Sequence, residues 1–107
     1  MQNSQPESPN RLIVRIDRDF EDIVPIFLAN RHKDVQILQR ALADADFTTI
    51  QMLGHRMKGD GGGYGFHRIS EIGAAMEQAA EQQDNPVCAQ QLAQLEEFLA
   101  LVEVVYV

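Results

Sequence analysis

The stretch 46-DFTTIQMLGHRMKGDGGGYGF-66 decides how this chain is read. Phe47, Ile50, Gly54, Met57, Gly61 and Tyr64 follow one another at steps of 3, 4, 3, 4 and 3, the spacing that puts side chains on one face of an α-helix. Asp46, just before the first of them, has the short carboxylate that caps the free N–H groups of a helix start. The run ends in Gly61-Gly62-Gly63-Tyr64-Gly65, where the entropic cost of glycine should end or loosen the helix. With Gly54 at zero and ~100° per residue, the apolar residues fall within about 60° of it and His55 lies near 100°, outside the stripe. By the same ~100° count, Gln51 falls near 60°, Lys58 near 40°, Gly62 near 80° and Gly59 near 140°, all within about 60° of the imidazole.

Working outward, Val24, Phe27, Leu28, Val35, Leu38, Leu42 and Ala45 recur at three and four and predict a preceding helix over about 20–44, interrupted on its apolar face by Arg31. Pro25 fits a first turn, which draws the start toward residue 24. Downstream, Ile69, Ile72, Gly73, Met76, Ala79 and Ala80 mark a third helix. Asn85 as cap and Pro86 at the first helical position open a fourth, whose stripe Cys88, Leu92, Leu95, Leu99, Val102 and Tyr106 carries it nearly to residue 107. Four such faces can be hidden only against each other, so the expected fold is all-α: an antiparallel four-helix bundle over 11–107 with a short N-terminal extension. Residues 1–10, polar with two prolines, read as a disordered leader. Residues 11–16 (RLIVRI) could be extended but have no evident strand partner, so they are expected to lie against the core.

Composition bounds the function. The 107 residues suit one domain, and a net charge of −7 opposes binding to a nucleic-acid backbone. The acids are concentrated late: residues 66–107 carry Arg68 against seven acids, most simply a solvated surface. One cysteine, no secretory leader in the first thirty residues and no apolar run near the roughly 20 residues of a membrane span suggest a cytoplasmic, soluble protein. None of the three histidines has Glu three residues before it, as a carboxylate-bridged metal pair in a bundle requires. The glycine cluster lacks both a Gly-Lys-Ser/Thr ending and a preceding strand, which argues against nucleotide binding. Cys88, in an apolar stripe, reads as core. What remains is His55: an exposed nucleophilic nitrogen, a cation one turn away, and bare backbone at Gly59 and Gly62 that lets another molecule approach. A glycine inside a helix costs about 1 kcal/mol against alanine, so stability alone does not account for these two.

Gly54-His55-Arg56-Met57-Lys58-Gly59, with the following Tyr64-Gly65-Phe66, resembles the signature of histidine-containing phosphotransfer (HPt) domains, four-helix bundles with His-x-(Leu/Met)-Lys-Gly on the second helix. The resemblance covers about 20–107. It implies that His55 is the phosphoacceptor, that Lys58 neutralises the phosphoryl group, and that Gly59 leaves room for a partner; Arg56 and Gly62 are expected to meet that partner too. Those partners would be response-regulator receiver domains and a hybrid histidine kinase. It also implies a carrier with no autonomous catalysis and no cofactor of its own, since no acid cluster near His55 in the sequence could hold Mg2+, which is expected on the receiver. Gln51, one turn before His55, is the candidate to orient the imidazole. Asp60 departs from the small residue usual there; by the ~100° count it lies some 140° from His55, which bears on packing more than on chemistry. The alternative is a helical adaptor or dimerisation domain without chemistry, for which His55 and Lys58 would be unnecessary. The carrier is expected to be a monomer.

Overall fold

Among the described residues four helices, α1 (Val24–Ala43), α2 (Phe47–Gly63), α3 (His67–Glu81) and α4 (Asn85–Leu101), follow one another through short links. The computed structural model describes residues 11–107, and the leader expected at 1–10 lies outside them. No helix among the described residues is long and apolar enough to cross a membrane.

The helix boundaries have local causes. Pro25 sits in the first turn of α1, where its missing N–H leaves no hydrogen bond unmade. Asp46 caps α2, its carboxylate accepting from the Thr49 N–H at 3.1 Å and the Thr49 hydroxyl at 2.6 Å. α4 is capped by Asp84 rather than Asn85: the Asp84 carboxylate accepts from the Val87 N–H at 3.2 Å, and Asn85 is already helical. Three helices end alike, on a residue with positive φ followed by the residue that precedes the next helix. These are Ala45 (φ 52°), Gly65 (φ 88°) and Gln83 (φ 53°). In each case the next N–H reaches back to a carbonyl in the last turn: Asp46 to Ala41, Phe66 to Gly61 and Asp84 to Ala79, the left-handed stop of helix C-termini. Ala45, expected on the apolar stripe of the first helix, is therefore beyond its end and exposed.

Two expectations fail at the termini. Residues 102–106 leave the helix and form a strand, β2 (Val102–Tyr106), which pairs in parallel with β1 (Leu12–Ile16) in the register Leu12↔Val102 to Ile16↔Tyr106. The segment 11–16 thus has a strand partner after all. Val102, Val104 and Val105 are β-branched and suit a pleated surface, yet Leu99, Val102 and Tyr106 also satisfy helical spacing, and only the distant β1 settles the choice. A short 3-10 turn, Arg18–Phe20, links β1 toward α1.

The core gathers one face of every helix: Phe27 and Leu38 from α1, Ile50, Leu53 and Met57 from α2, Ile69, Ile72 and Met76 from α3, Leu92, Leu95 and Phe98 from α4. Phe66 stacks on Phe27 with centroids 5.1 Å apart, and Tyr64 packs on Phe27 and Phe20. The contact that matters most for the site is that between α2 and α3. A Cβ at Gly54 would lie 2.7 Å from the Glu77 backbone nitrogen, and one at Gly73 2.6 Å from that of Lys58. Only residues without side chains allow so close an approach. The Ser70 hydroxyl on α3 donates to the Lys58 carbonyl at 2.6 Å, fastening the same seam.

Candidate functional site

Because α3 lies directly against α2 at Gly54 and Gly73, a side chain one turn beyond Gly73 meets the face of α2 that carries His55. That residue is Glu77. Its Oε2 is 2.8 Å from His55 Nδ1 and its Oε1 is 3.0 Å from Lys58 Nζ, so one carboxylate bridges both. The Lys58 ammonium first, and then the hydrogen bond from His55, hold its carboxyl below the usual value of 4.5, against a partial burial that works the other way. An ionised carboxylate only accepts hydrogen bonds. In the neutral ring the proton therefore sits on Nδ1, and Nε2 keeps its lone pair. The His55 side chain is 70% exposed, at the edge of a shallow concavity formed with Thr48, Gln51, Met52 and Glu77. The arrangement offers a nucleophilic nitrogen of fixed tautomer with a cation one turn away.

The residues singled out from the sequence fall into distinct places. His55 and Lys58 share the Glu77 bridge. Gln51 lies on the same face, but its amide donates to Glu81 at 3.1 Å, and the imidazole contact expected of it is made by Glu77. Arg56, half exposed, turns toward α1, where its Nη2 is 3.6 Å from Asp34. Gly59 and Gly62 stand in open space: a Cβ on Gly59 would meet nothing within 4 Å, and one on Gly62 only the Ser70 Oγ at 3.8 Å. The glycines of α2 thus divide into Gly54 and Gly61, which close helix packing demands, and Gly59, Gly62 and Gly63, which no contact among the described residues requires.

Two acidic residues were not legible as site components. Glu77 sits among the late acids, which read as a solvated surface, and its role depends on the approach of α3. Asp34 lies on α1 one turn from Arg31, and both are about 95% buried. Arg31, the break in the apolar stripe, is 3.0 Å from Asp34 and 3.6 Å from Asp60, with its guanidinium 4.8 Å above the Phe27 ring. Asp60 thus faces α1, away from His55, and supplies a counter-charge to a buried cation.

The second helix of this domain thus presents an accessible imidazole, hydrogen-bonded to a carboxylate and flanked by lysine and bare backbone. The family model for the Hpt domain matches residues 22–104, and the chain belongs to that family. Membership places it in histidine phosphotransfer of two-component signalling, among phosphocarriers that interact with receiver and kinase components. Comparison with curated proteins and with solved structures gave no match.

Proposed function

We propose that this domain is a phosphorelay carrier in which His55 accepts a phosphoryl group from a receiver-domain aspartate and passes it to another. The observation that carries the reading is the Glu77 carboxylate on Nδ1 of an exposed imidazole, which leaves Nε2 free to attack phosphorus in line. The new bond is Nε2–P, the broken one is P–O of the aspartyl phosphate, and the aspartate leaves as a carboxylate. Lys58 then exchanges Glu77 for the phosphoryl oxygens, a charge-assisted contact to a group carrying about −1.5 to −2. Transfer of this kind is mostly positioning and charge neutralisation, to which a metal ion contributes; Mg2+ arrives with the receiver. Gly59 and Gly62 leave the helix surface bare for the partner, with Arg56 and exposed Met52 at its margin. An antiparallel bundle, acting as a cytoplasmic monomer, is the scaffold.

The test is incubation with phosphorylated receiver domains, followed by a search for acid-labile, alkali-stable label. Label on the wild-type chain and none on His55→Gln is the expected result; label persisting on the variant rejects the assignment.

A further inference from the structure

Between α1 and α2, reaching Arg56, the residue after His55, runs an open groove of about 420 Å³. Its charged lining consists of Arg31, Lys33, Asp34, Arg56 and Asp60. Arg31 and Asp34 are buried in its wall, and the contacts of Arg31 Nε, Arg31 Nη1 and Asp34 Oδ2 lack hydrogen-bond geometry although the ions lie within pairing distance. Buried ion pairs add little to stability in themselves, and apolar replacements are often as stable or more so, so core packing does not account for this cluster.

The geometry divides the labour among the charges. Arg31 takes up both carboxylates, Asp34 at 3.0 Å and Asp60 at 3.6 Å. The other oxygen of Asp34 faces Arg56 at 3.6 Å, far enough to leave the fork of Arg56 donors available, and that side chain is 51% exposed. Lys33 has no acidic partner within pairing distance among the described residues. Three cations against two carboxylates make this groove positive in a chain whose net charge is −7. A monoanion matches that surplus, whereas the two aspartates oppose a dianionic phosphoryl group. Arg56 follows His55 directly on α2 and its side chain is 51% exposed, so a receiver surface that extends from the imidazole to the next residue of the helix reaches the mouth of the groove.

We propose that the α1–α2 groove seats an acidic side chain of the receiver domain that exchanges phosphate with His55, gripped by Arg56 and Lys33, with Asp34 as the positioning residue that holds Arg56 over the groove. This rests on the carrier reading above and goes beyond it in naming the chemistry of docking. A guanidinium presents its donors as a planar fork that fits a carboxylate, and a fixed fork loses less freedom on binding.

The probe is a receiver domain that phosphorylates the wild-type chain, compared with phosphoramidate, a small donor that needs no docking. Lys33→Glu and Arg56→Ala are expected to raise KM for the phosphorylated receiver at least fivefold, with kcat changed less than twofold, and to slow receiver transfer far more than phosphoramidate labelling. The Lys33→Glu defect should shrink at high salt, where exposed charges are screened. If Asp34 acts through Arg56, Asp34→Asn also raises KM, and Asp34→Asn with Arg56→Ala is no worse than Arg56→Ala alone. Additive losses overturn the positioning role. Should Asp34→Asn fail to fold, Lys33→Glu and Arg56→Ala still decide: an unchanged KM in both overturns the groove. A wild-type chain that takes label from neither donor overturns the carrier reading itself, a result distinct from labelling by phosphoramidate with an intact KM in the variants.

Discussion

Glu77 Oε2 lies 2.8 Å from His55 Nδ1 across the α2–α3 seam, and the same carboxylate reaches Lys58 with its other oxygen. The side chains that would carry the chemistry are therefore set by two helices, and the residue that links them comes from the one that does not bear the histidine.

Replacing that carboxylate separates its two effects. Glu77→Ala releases Nδ1, so the neutral imidazole divides between tautomers, and phosphoramidate labelling of His55 is expected to slow by up to about tenfold, the size of effect one charge-assisted contact exerts. Glu77→Gln keeps an acceptor for Nδ1–H but removes a negative charge beside the phosphoryl group and frees Lys58. Its equilibrium with a receiver should shift toward phosphorylated His55, read as the fraction of label on each protein after mixing. An unchanged fraction would show that Glu77 does not act on the phosphorylated state.

The same group predicts a pH dependence. Its carboxyl is held below 4.5 in the folded chain, so the bridge contributes fully above 4.5 and is lost as pH falls through the lowered value. Wild-type stability minus that of Glu77→Gln should fall as pH drops below 4.5 and through the lowered value. Asp34 has the opposite sign: burial pushes its carboxyl above 3.8, against Arg31 and Arg56, so its ionisation makes stability decline as pH rises through that window. Chemical denaturation of the wild type and each variant across pH 3–7 reads both slopes.

The glycines of α2 give contrasting predictions. Gly54→Ala places a methyl 2.7 Å from the Glu77 nitrogen and 2.8 Å from the Gly73 carbonyl oxygen, so α3 must move. A loss of about 2–4 kcal/mol is expected, in the range of severe overpacking, together with loss of the Glu77 bridge. Gly59→Ala enters open space in a helix interior and should stabilise by up to about 1 kcal/mol. Gly59→Gln and Gly62→Gln should melt no lower than the wild type yet bind the receiver more weakly. A marked fall in their melting temperature would give these glycines a backbone role that the structure does not show.

The helices of this domain and the placement of His55 were legible because both depend on local spacing. Asp46 and the three-four steps of α2 are set by hydrogen bonds and burial within one or two turns. All but one of the failures are non-local. Val102–Tyr106 satisfies helical and extended periods alike, and its partner β1 is some 90 residues distant in sequence. Glu77 acquires its contact only through the glycine seam. Arg31 shows as an interruption, but nothing in its spacing reveals that Asp60 from the next helix would answer it. Asn85 was displaced as cap by its immediate neighbour, because Asp84 offers the same geometry one residue earlier.

The left-handed stops supply the last prediction. Ala45 and Gln83 hold φ near 52° and 53° without being glycine, and an L-residue in that region costs roughly 1–2 kcal/mol. Glycine removes that strain but adds freedom to the unfolded chain, which offsets part of the gain. Ala45→Gly and Gln83→Gly are thus each expected to stabilise by about 0.5–1 kcal/mol, seen as a melting temperature a few degrees higher. Gly65 is the control. It already occupies φ 88°, and a Cβ there would lie 3.1 Å from Ile16 Cδ1, so Gly65→Ala must destabilise through both strain and crowding against β1. The three substitutions lie at equivalent points of three successive helix ends, so the sign of each follows from the backbone angle and the space around it. A stabilising Gly65→Ala, or a destabilising Ala45→Gly, would show that these ends do not hold the left-handed conformation in solution.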